Sequence, residues 1–188
     1  NPYAKSKLKF ERFLNKNIRQ NKIKCIILRY FNVAGADLKM RGGLVDKKSS
    51  HLIKVGCEVA VGKRKKLVIN GNNYKTKDGT AIRDFIHVMD LAKIHILSLK
   101  YLIKTKKSEI FNCGYGKGYS VKEVIKTFNK VLKRKITTIY GPRRKGDVGS
   151  LVADVTKIKK KINWKPQYND LSLIVRSSLY WEKKILKK

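Results

Sequence analysis

Apolar residues recur at helical spacing from Pro2 to about Gln20, where Ala4, Leu8, Phe10, Phe13 and Leu14 supply one side. This predicts an amphipathic helix, and Pro2 suits its first turn. The period then changes. Lys22 to Tyr30 is nearly continuous in apolar character through Cys25-Ile26-Ile27-Leu28, which predicts a strand in the middle of a parallel sheet. Residues 36–50, with Gly42-Gly43 and mixed charges, have little periodicity and read as a loop. A second helix is expected over 51–61, with Leu52, Val55, Val59 and Ala60 apolar and Gly62 as its stop. Leu67-Val68-Ile69 predicts a short strand closed by the turn residues Asn70-Gly71-Asn72-Asn73. The run 78–92 passes from a turn through a short apolar strand to a helix initiated by Asp90, with Leu91, Ile94, Leu97 and Leu102 on one face. Helix, turn and strand in succession are half of an α/β unit, so the expected fold class is α/β.

Composition narrows this picture. A chain of 188 residues with 42% hydrophobic content is expected to be folded rather than disordered. No run approaches the roughly 18 apolar residues of a membrane span, and no basic-then-apolar signal opens the chain, so the expected compartment is the cytoplasm. Cys25, Cys57 and Cys113 are odd in number, widely spaced and set in apolar runs. They read as buried thiols rather than disulfides or metal ligands, and no metal site is expected. The net charge of +33 raises the possibility of a polyanion partner. The excess is mostly lysine spread over almost every predicted helix, with runs at 63–66, 159–161 and 183–184. There is no zinc-finger spacing, no aromatic strand of the RNA-binding type and no clear recognition helix, so solvated lysine-rich faces are the preferred reading and no specific nucleic-acid partner is expected.

Several residues are placed for chemistry. Tyr3 and Lys7 stand four apart, on one face of the first helix. A phenol with an intrinsic pKa of about 10 is a poor base at neutral pH, but a neighbouring ammonium favours the phenolate. The spacing alone is weak, because Tyr180 and Lys184 share it. Asn32, just past a buried strand, is either a ligand contact or a turn former before Gly35. Arg83 is either paired with Asp84 or a guanidinium for a phosphate or carboxylate. His51 is expected to cap a helix or face solvent, and His87 to be structural.

An ordered set of motifs then carries a resemblance. Asn1-Pro2-Tyr3 with Ser6-Lys7, Leu28-Arg29-Tyr30-Phe31-Asn32, Ala60-Val61-Gly62-Lys63-Arg64, Asp78-Gly79-Thr80, Arg83 to Ala92, Phe111-Asn112-Cys113-Gly114 and Arg143-Arg144-Lys145-Gly146-Asp147 follow one another as in UDP-glucose (UDP-galactose) 4-epimerases. These are extended short-chain dehydrogenase/reductases, and the resemblance runs from Asn1 to about Leu186. It implies that Tyr3 takes and returns the sugar hydroxyl proton and that Lys7 holds the nicotinamide ribose while lowering the tyrosine's pKa. It places Phe31 near the nicotinamide of NAD. Asn32, Arg83 and Arg144 would contact the diphosphate of a UDP-sugar and Asp147 the uridine ribose. Leu151 falls where the family's residue helps decide whether N-acetylated sugars fit. A homodimer is the family's usual assembly. Read from the residues themselves, Arg83, Arg144 and Asp147 make a reasonable pyrophosphate-and-ribose set, with a merely solvated basic loop as the alternative.

Departures from the family matter equally. The 188 residues contain no Gly-x-x-Gly-x-x-Gly phosphate loop after a strand, no acidic ribose contact of that kind and no catalytic Ser/Thr segment. The chain is therefore expected to be an amino-terminally truncated part of such an enzyme, inactive alone. Asn70 stands where the family usually has an aromatic residue against the uracil, and Val33 replaces the more usual proline. Residues 1–33 are expected to be the end of a dinucleotide-binding domain, with 84–104 a candidate to return to it, and 34–188 a smaller α/β lobe for the nucleotide-sugar. A related nucleotide-sugar epimerase or dehydratase, or a polyanion-binding remnant, are the alternatives.

Overall fold

The computed structural model describes residues 2–46 and 48–187, the Tyr3 side chain excepted. Helix α1 (Pro2–Arg19) forms where the apolar period predicts it, with Lys16 and Arg19 in the last turn, where cations complement the helix dipole. Strand β1 (Ile26–Tyr30) begins later than the apolar run suggested. Lys22 and Lys24 belong to the turn instead, with Lys24 Nζ donating to Asn21 Oδ1 at 2.9 Å. The chain continues through β2 (Asn32–Ala34), α2 (Leu52–Ala60), β3 (Leu67–Asn70), β4 (Ile82–His87), α3 (Val88–Thr105) and β5 (Glu109–Cys113). It ends with β6 (Gly118–Ser120), α4 (Val121–Leu132), β7 (Thr138–Gly141), β8 (Ser150–Leu151), α5 (Thr156–Ile162) and α6 (Leu171–Leu186).

The fold is α/β with mainly parallel pairing. β1 pairs with β5, in register from Ile26↔Glu109 to Tyr30↔Cys113. β3 pairs with β7 from Leu67↔Thr138 to Asn70↔Gly141. β4 is the hub of the third sheet. Its carboxyl half lies parallel to β2, and its amino half lies antiparallel to β6 and parallel to β8. Parallel strands need long crossovers, and α3 is the one that carries the chain from β4 back to β1's neighbour β5.

The start of α3 corrects the expectation that Asp90 initiates it. His87 is the N-cap, its Nδ1 accepting from the Met89 N–H at 3.1 Å, and Asp90 lies buried inside the first turn. The Asp90 carboxylate accepts from the Tyr115 hydroxyl at 2.6 Å and from the backbone N–H groups of Gln167 and Tyr168 at 3.0 and 2.9 Å. Arg83 and Asp84 do not pair with each other, because successive strand side chains point to opposite faces. Asp84 turns inward and accepts from the N–H groups of Tyr115, Gly116 and Ala153 at 2.9, 2.8 and 3.2 Å. Cys57 and Cys113 are buried, Cys25 only half so, and all three are free thiols.

The core gathers Ile86, Ile94, Phe111, Val124, Phe128, Ile158, Trp164, Ile174 and Val175 between the sheets and α3 to α6. α4 opens on a capping box, in which the Ser120 hydroxyl accepts from the Glu123 N–H at 3.1 Å and the Glu123 carboxylate from the Ser120 N–H at 2.7 Å. α6 is fastened to α2 by a buried ion pair. Glu182, 1% exposed, receives Lys54 Nζ at 2.5 Å and Lys63 Nζ at 2.8 Å, while Glu58 takes Arg64. Among the described residues no helix is long and apolar enough to cross a membrane.

Burial pushes the Glu182 carboxyl up, but the bonds to Lys54 and Lys63 outweigh it and hold the group below the usual glutamate range. A depressed carboxyl contributes stability above its unfolded pKa and loses it as pH falls through the folded one. Glu182→Gln should therefore cost about 3 kcal/mol at pH 7, the scale for breaking a buried pair. In urea unfolding the deficit should shrink as pH falls below about 4.3, the free glutamate value. A deficit equally large at pH 7 and at pH 3 would show that charge on Glu182 is not its origin.

Candidate functional site

A cleft of about 1100 Å3 opens beside β2, β3 and β4. Its wall follows from strand periodicity: Ala81, Arg83 and Phe85 line it, whereas Asp84 and Ile86, each one residue on from a lining residue, face the core. Asn32, the first residue of β2 rather than a turn former, lines the same wall. The turn after β2 is fixed by Gly35, whose φ of 86° is the left-handed region and whose missing Cβ would sit 2.5 Å from the His87 ring. Asn70 at the end of β3, together with Arg144 and Asp147 from the loop after β7, completes the polar set. Four residues singled out from the sequence, Asn32, Arg83, Arg144 and Asp147, thus share one cleft.

Their electrostatics differ. Arg83 Nη1 donates to its neighbour's carbonyl, Ile82 O, at 2.8 Å, and its Nη2 lies 3.8 Å from Asp147 Oδ1. That is an open ion pair rather than a hydrogen bond. Of the two adjacent arginines in the loop, Arg143 is structural. Its guanidinium stacks 4.2 Å over the Tyr74 ring and donates from Nε to Asn73 Oδ1 at 2.7 Å, clamping the loop to the turn after β3. Arg144 is the one that reaches the cleft, where it meets the Asn70 amide. Gly146 takes φ 85°, and the turn is closed by the Asp147 N–H donating to the Arg144 carbonyl at 3.1 Å.

One donor group is not signalled by any motif. α2 begins at the cleft, with His51, Leu52 and Ile53 among its lining, and His51 makes no side-chain cap bond. The first backbone N–H groups of that helix lie at the positive end of its dipole, in the cleft that Arg83 and Arg144 also line. The sequence signal for it is the absence of Ser, Thr, Asp or Asn at position 51 just before an apolar helix. Such an array suits a phosphorylated anion.

Other expected residues are not gathered there. The Tyr3 side chain lies outside the described residues, so its half of the Tyr3–Lys7 pair does too. Lys7 is exposed on α1 and is not among the cleft's lining. α1 is nonetheless tied to β1, since Arg29 Nε donates to Glu11 Oε2 at 3.0 Å. Lys7 lies one turn nearer the helix start than Glu11, roughly 6 Å along the axis. Phe31 is half buried against the core, its N–H donating to the Cys113 carbonyl at 3.1 Å, and it does not line the cleft. Leu151 is the parallel neighbour of Arg83 but is 50% exposed and also outside the lining.

His87 is held structurally. It is fully buried, stacked 4.9 Å from Tyr168, with Nε2 3.2 Å from the Ser177 hydroxyl. Because Nδ1 accepts from Met89, the proton sits on Nε2, and burial pushes the pKa down so that the ring is neutral. Tyr115, buried and bonded to Asp90, has its phenol pushed well above the usual range. Neither is poised to act as an acid or base near neutrality. Among the described residues, no group of three His, Cys, Asp or Glu side chains is placed to hold a metal ion.

The chain is similar to known proteins along nearly its whole length. A UDP-glucose 4-epimerase of Azospirillum brasilense is 44% identical over 185 residues, covering 98% of this chain and 53% of that protein. One from Halalkalibacterium halodurans is 42% identical over 183 residues, covering 97% of this chain and 55% of its own length. The chain thus spans about half the length of the curated relatives it matches. Among solved structures, UDP-glucose-4-epimerase from Stenotrophomonas maltophila with bound NAD and formylated UDP-arabinopyranose superposes with a TM-score of 0.94 at 32% identity, over 100% of this chain and 56% of that one. The enzyme from Bifidobacterium longum in complex with NAD+ and UDP gives 0.91 at 37% identity, over 98% and 55%. The model of the NAD dependent epimerase/dehydratase family matches residues 1–114, ending just past β5, and the chain belongs to that family.

Proposed function

We propose that these residues are the tyrosine–lysine helix and the nucleotide-sugar lobe of a UDP-glucose/UDP-galactose 4-epimerase, an isomerase of galactose metabolism. The observation that carries this reading is the convergence of Asn32, Arg83, Arg144 and Asp147, distant in sequence, on one cleft. The relatives and neighbours named above support the activity and the UDP-sugar as substrate. We assign residues 1–33 to the dinucleotide-binding side and the rest largely to the substrate lobe. The pairing of β1 with β5 supports counting α3 and β5 with the first.

NAD is part of this proposal, and the residues present fit only its nicotinamide end. The family resemblance would set Tyr3, Lys7 and Phe31 at that end, the Arg29–Glu11 pair ties α1 to β1, and the 188 residues offer no glycine-rich turn for a dinucleotide pyrophosphate. When bound, NAD supplies a reversible hydride acceptor for the sugar's C4. Tyr3 would take the proton of the 4-hydroxyl and return it, and the Lys7 ammonium would stabilise the phenolate. Arg83, Arg144 and the start of α2 would anchor the diphosphate through charge-assisted hydrogen bonds, with Asp147 accepting from the ribose hydroxyls. An anchored diphosphate lets the sugar turn and present its other face without leaving the cleft. Leu151 is proposed to border the sugar beside Arg83. We also propose a cytoplasmic homodimer. Three free thiols suit a reducing compartment, and the exposed, stacked Phe10 and Phe13 on α1 suit a second copy.

Arg83→Ala should weaken UDP binding to the chain by roughly 1.5–3 kcal/mol, the range for hydrogen bonds to charged groups. Loss of the Asp147 pair contributes little to this, since it is open and partly exposed. Unchanged affinity by calorimetric titration would remove Arg83 from the site.

The 188-residue chain with added NAD should not convert UDP-galactose to UDP-glucose, whereas the same residues joined to a glycine-rich dinucleotide-binding segment should. Tyr3→Phe in the joined protein should abolish turnover and leave UDP affinity unchanged. Turnover surviving that substitution would dismiss Tyr3 as the base. The charge of +33 favours one competing reading, a polyanion-binding protein. Our reading expects DNA or RNA binding to be unselective and to fall steeply between low and physiological salt, because it rests on counterion release. A sequence-selective complex at physiological salt would reverse the order of the two readings.

A further inference from the structure

Asn70 occupies the last position of β3, and its backbone is fixed by the parallel ladder through Asn70↔Gly141. One orientation of its side-chain amide satisfies both ends of the group. In that orientation Oδ1 accepts from Nε and from Nη2 of Arg144, each at 3.2 Å. A guanidinium has five N–H donors in two forks. The contact with Asn70 uses the fork formed by Nε and one N–H of Nη2. The end-on fork formed by Nη1 and the other N–H of Nη2 has no hydrogen bond among the described residues, and it is the one that matches two phosphate oxygens. The amide is neutral, so it fixes the guanidinium without cancelling its charge. Arg83 contrasts with this, because its near partner is the Asp147 carboxylate.

We propose that Asn70 is a positioning residue for Arg144: it holds the guanidinium so that its free fork meets the diphosphate of a nucleotide in the cleft. The inference rests on the nucleotide-sugar reading above and adds a role for Asn70 in it. Three features of the fold make the hold effective. The strand end cannot shift without breaking the β3–β7 ladder. The base of the loop is clamped independently by Arg143 on Tyr74 and Asn73. Arg144 itself follows directly on that clamp, so its remaining freedom lies in its side chain, and ordering a side chain of that length on binding costs about 0.5–1.5 kcal/mol. Asn70 removes much of that cost before the ligand arrives.

The test is calorimetric titration of the 188-residue chain with UDP and UMP, for the unaltered protein, Asn70→Ala, Asn70→Asp, Arg144→Ala and the double variant Asn70→Ala/Arg144→Ala. Asn70→Ala should weaken UDP by about 2- to 12-fold, the range that the ordering cost converts to, and UMP by less, because a single phosphate leans less on the arranged fork. Asn70→Asp should weaken UDP further, since a carboxylate pins Arg144 but cancels its charge where the diphosphate must lie. In the Arg144→Ala background the Asn70→Ala change should have no further effect. Melting temperatures of the single variants should stay close to that of the unaltered chain, since Asn70 lies at a strand end. UDP binding that is unaffected by both Asn70 substitutions, or weakened equally with Arg144 absent, would overturn the inference and leave the nucleotide-sugar reading standing. No binding of UDP by the unaltered chain would overturn both.

Discussion

Two buried carboxylates hold the molecule in the shape that makes a cleft. Asp84 takes three backbone N–H donors from the segment after β5 and from Ala153, and Asp90 takes the Tyr115 hydroxyl and two more N–H groups near Gln167. The Tyr115 hydroxyl in turn accepts from the His87 N–H at 3.1 Å. One strand and the helix that follows it are thereby bolted to three separate stretches of irregular chain. Irregular backbone can be buried only if its N–H groups are satisfied, and these carboxylates satisfy them. Leaving such donors unpaired would cost roughly 1–3 kcal/mol each. With Asp84 fixed on the inner face of β4, Arg83 is fixed on the outer one, so the same strand that anchors the core aims a guanidinium into the cleft.

That division of labour explains what could be read from the chain and what could not. The α/β class, the extents of α1 and α2, the loop over 36–46 and 48–50 and the stop at Gly62 rest on periodicity and turn chemistry, which are local, and they appear where expected. Asp90 as a helix initiator was also a local reading, and it failed because a buried tyrosine and two distant N–H groups compete for that carboxylate. The start of β1 failed for a related reason: the strand begins where its partner β5 begins, not where the apolar run does. The capping box Ser120-Val121-Lys122-Glu123 is a start signal for α4 that is legible without any structure.

The site is split in the same way. A tandem Arg143-Arg144 in a loop gives no sign of which member reaches a ligand. The family resemblance names Arg144, and the positions of Tyr74 and Asn73 tie Arg143 to the scaffold while Arg144 lines the cleft. The donor array at the start of α2 has no motif at all, because backbone N–H groups are common to every residue, and what matters is where the helix points. Asn70, by contrast, reads in the sequence as a turn residue and as a departure from a family resemblance, whereas it is the last residue of β3, and its partner Arg144 is 74 positions away, read from 70 to 144.

The composition gives the site a further distinction. The chain has 13 acidic residues against 46 lysines and arginines. Scarcity leaves few carboxylates idle. Glu11, Asp37, Glu58 and Glu182 pair with arginine or lysine, and Glu109 takes Lys157 and Lys161. Asp46, Asp78, Glu123, Asp154 and Asp170 bond backbone N–H groups in turns and caps, and Asp84 and Asp90 form the buried brace. Asp147 alone has a carboxylate with no hydrogen bond among the described residues, and its nearest cation, Arg83, is 3.8 Å away. In a chain so short of acids, a carboxylate held by a turn beside the Arg83 guanidinium and not hydrogen-bonded to it is under-used by the fold itself. Its acceptors are available to hydroxyl donors such as those of a ribose. Asp147 is thus the acid whose place the fold does not explain and whose place a nucleotide in the cleft would.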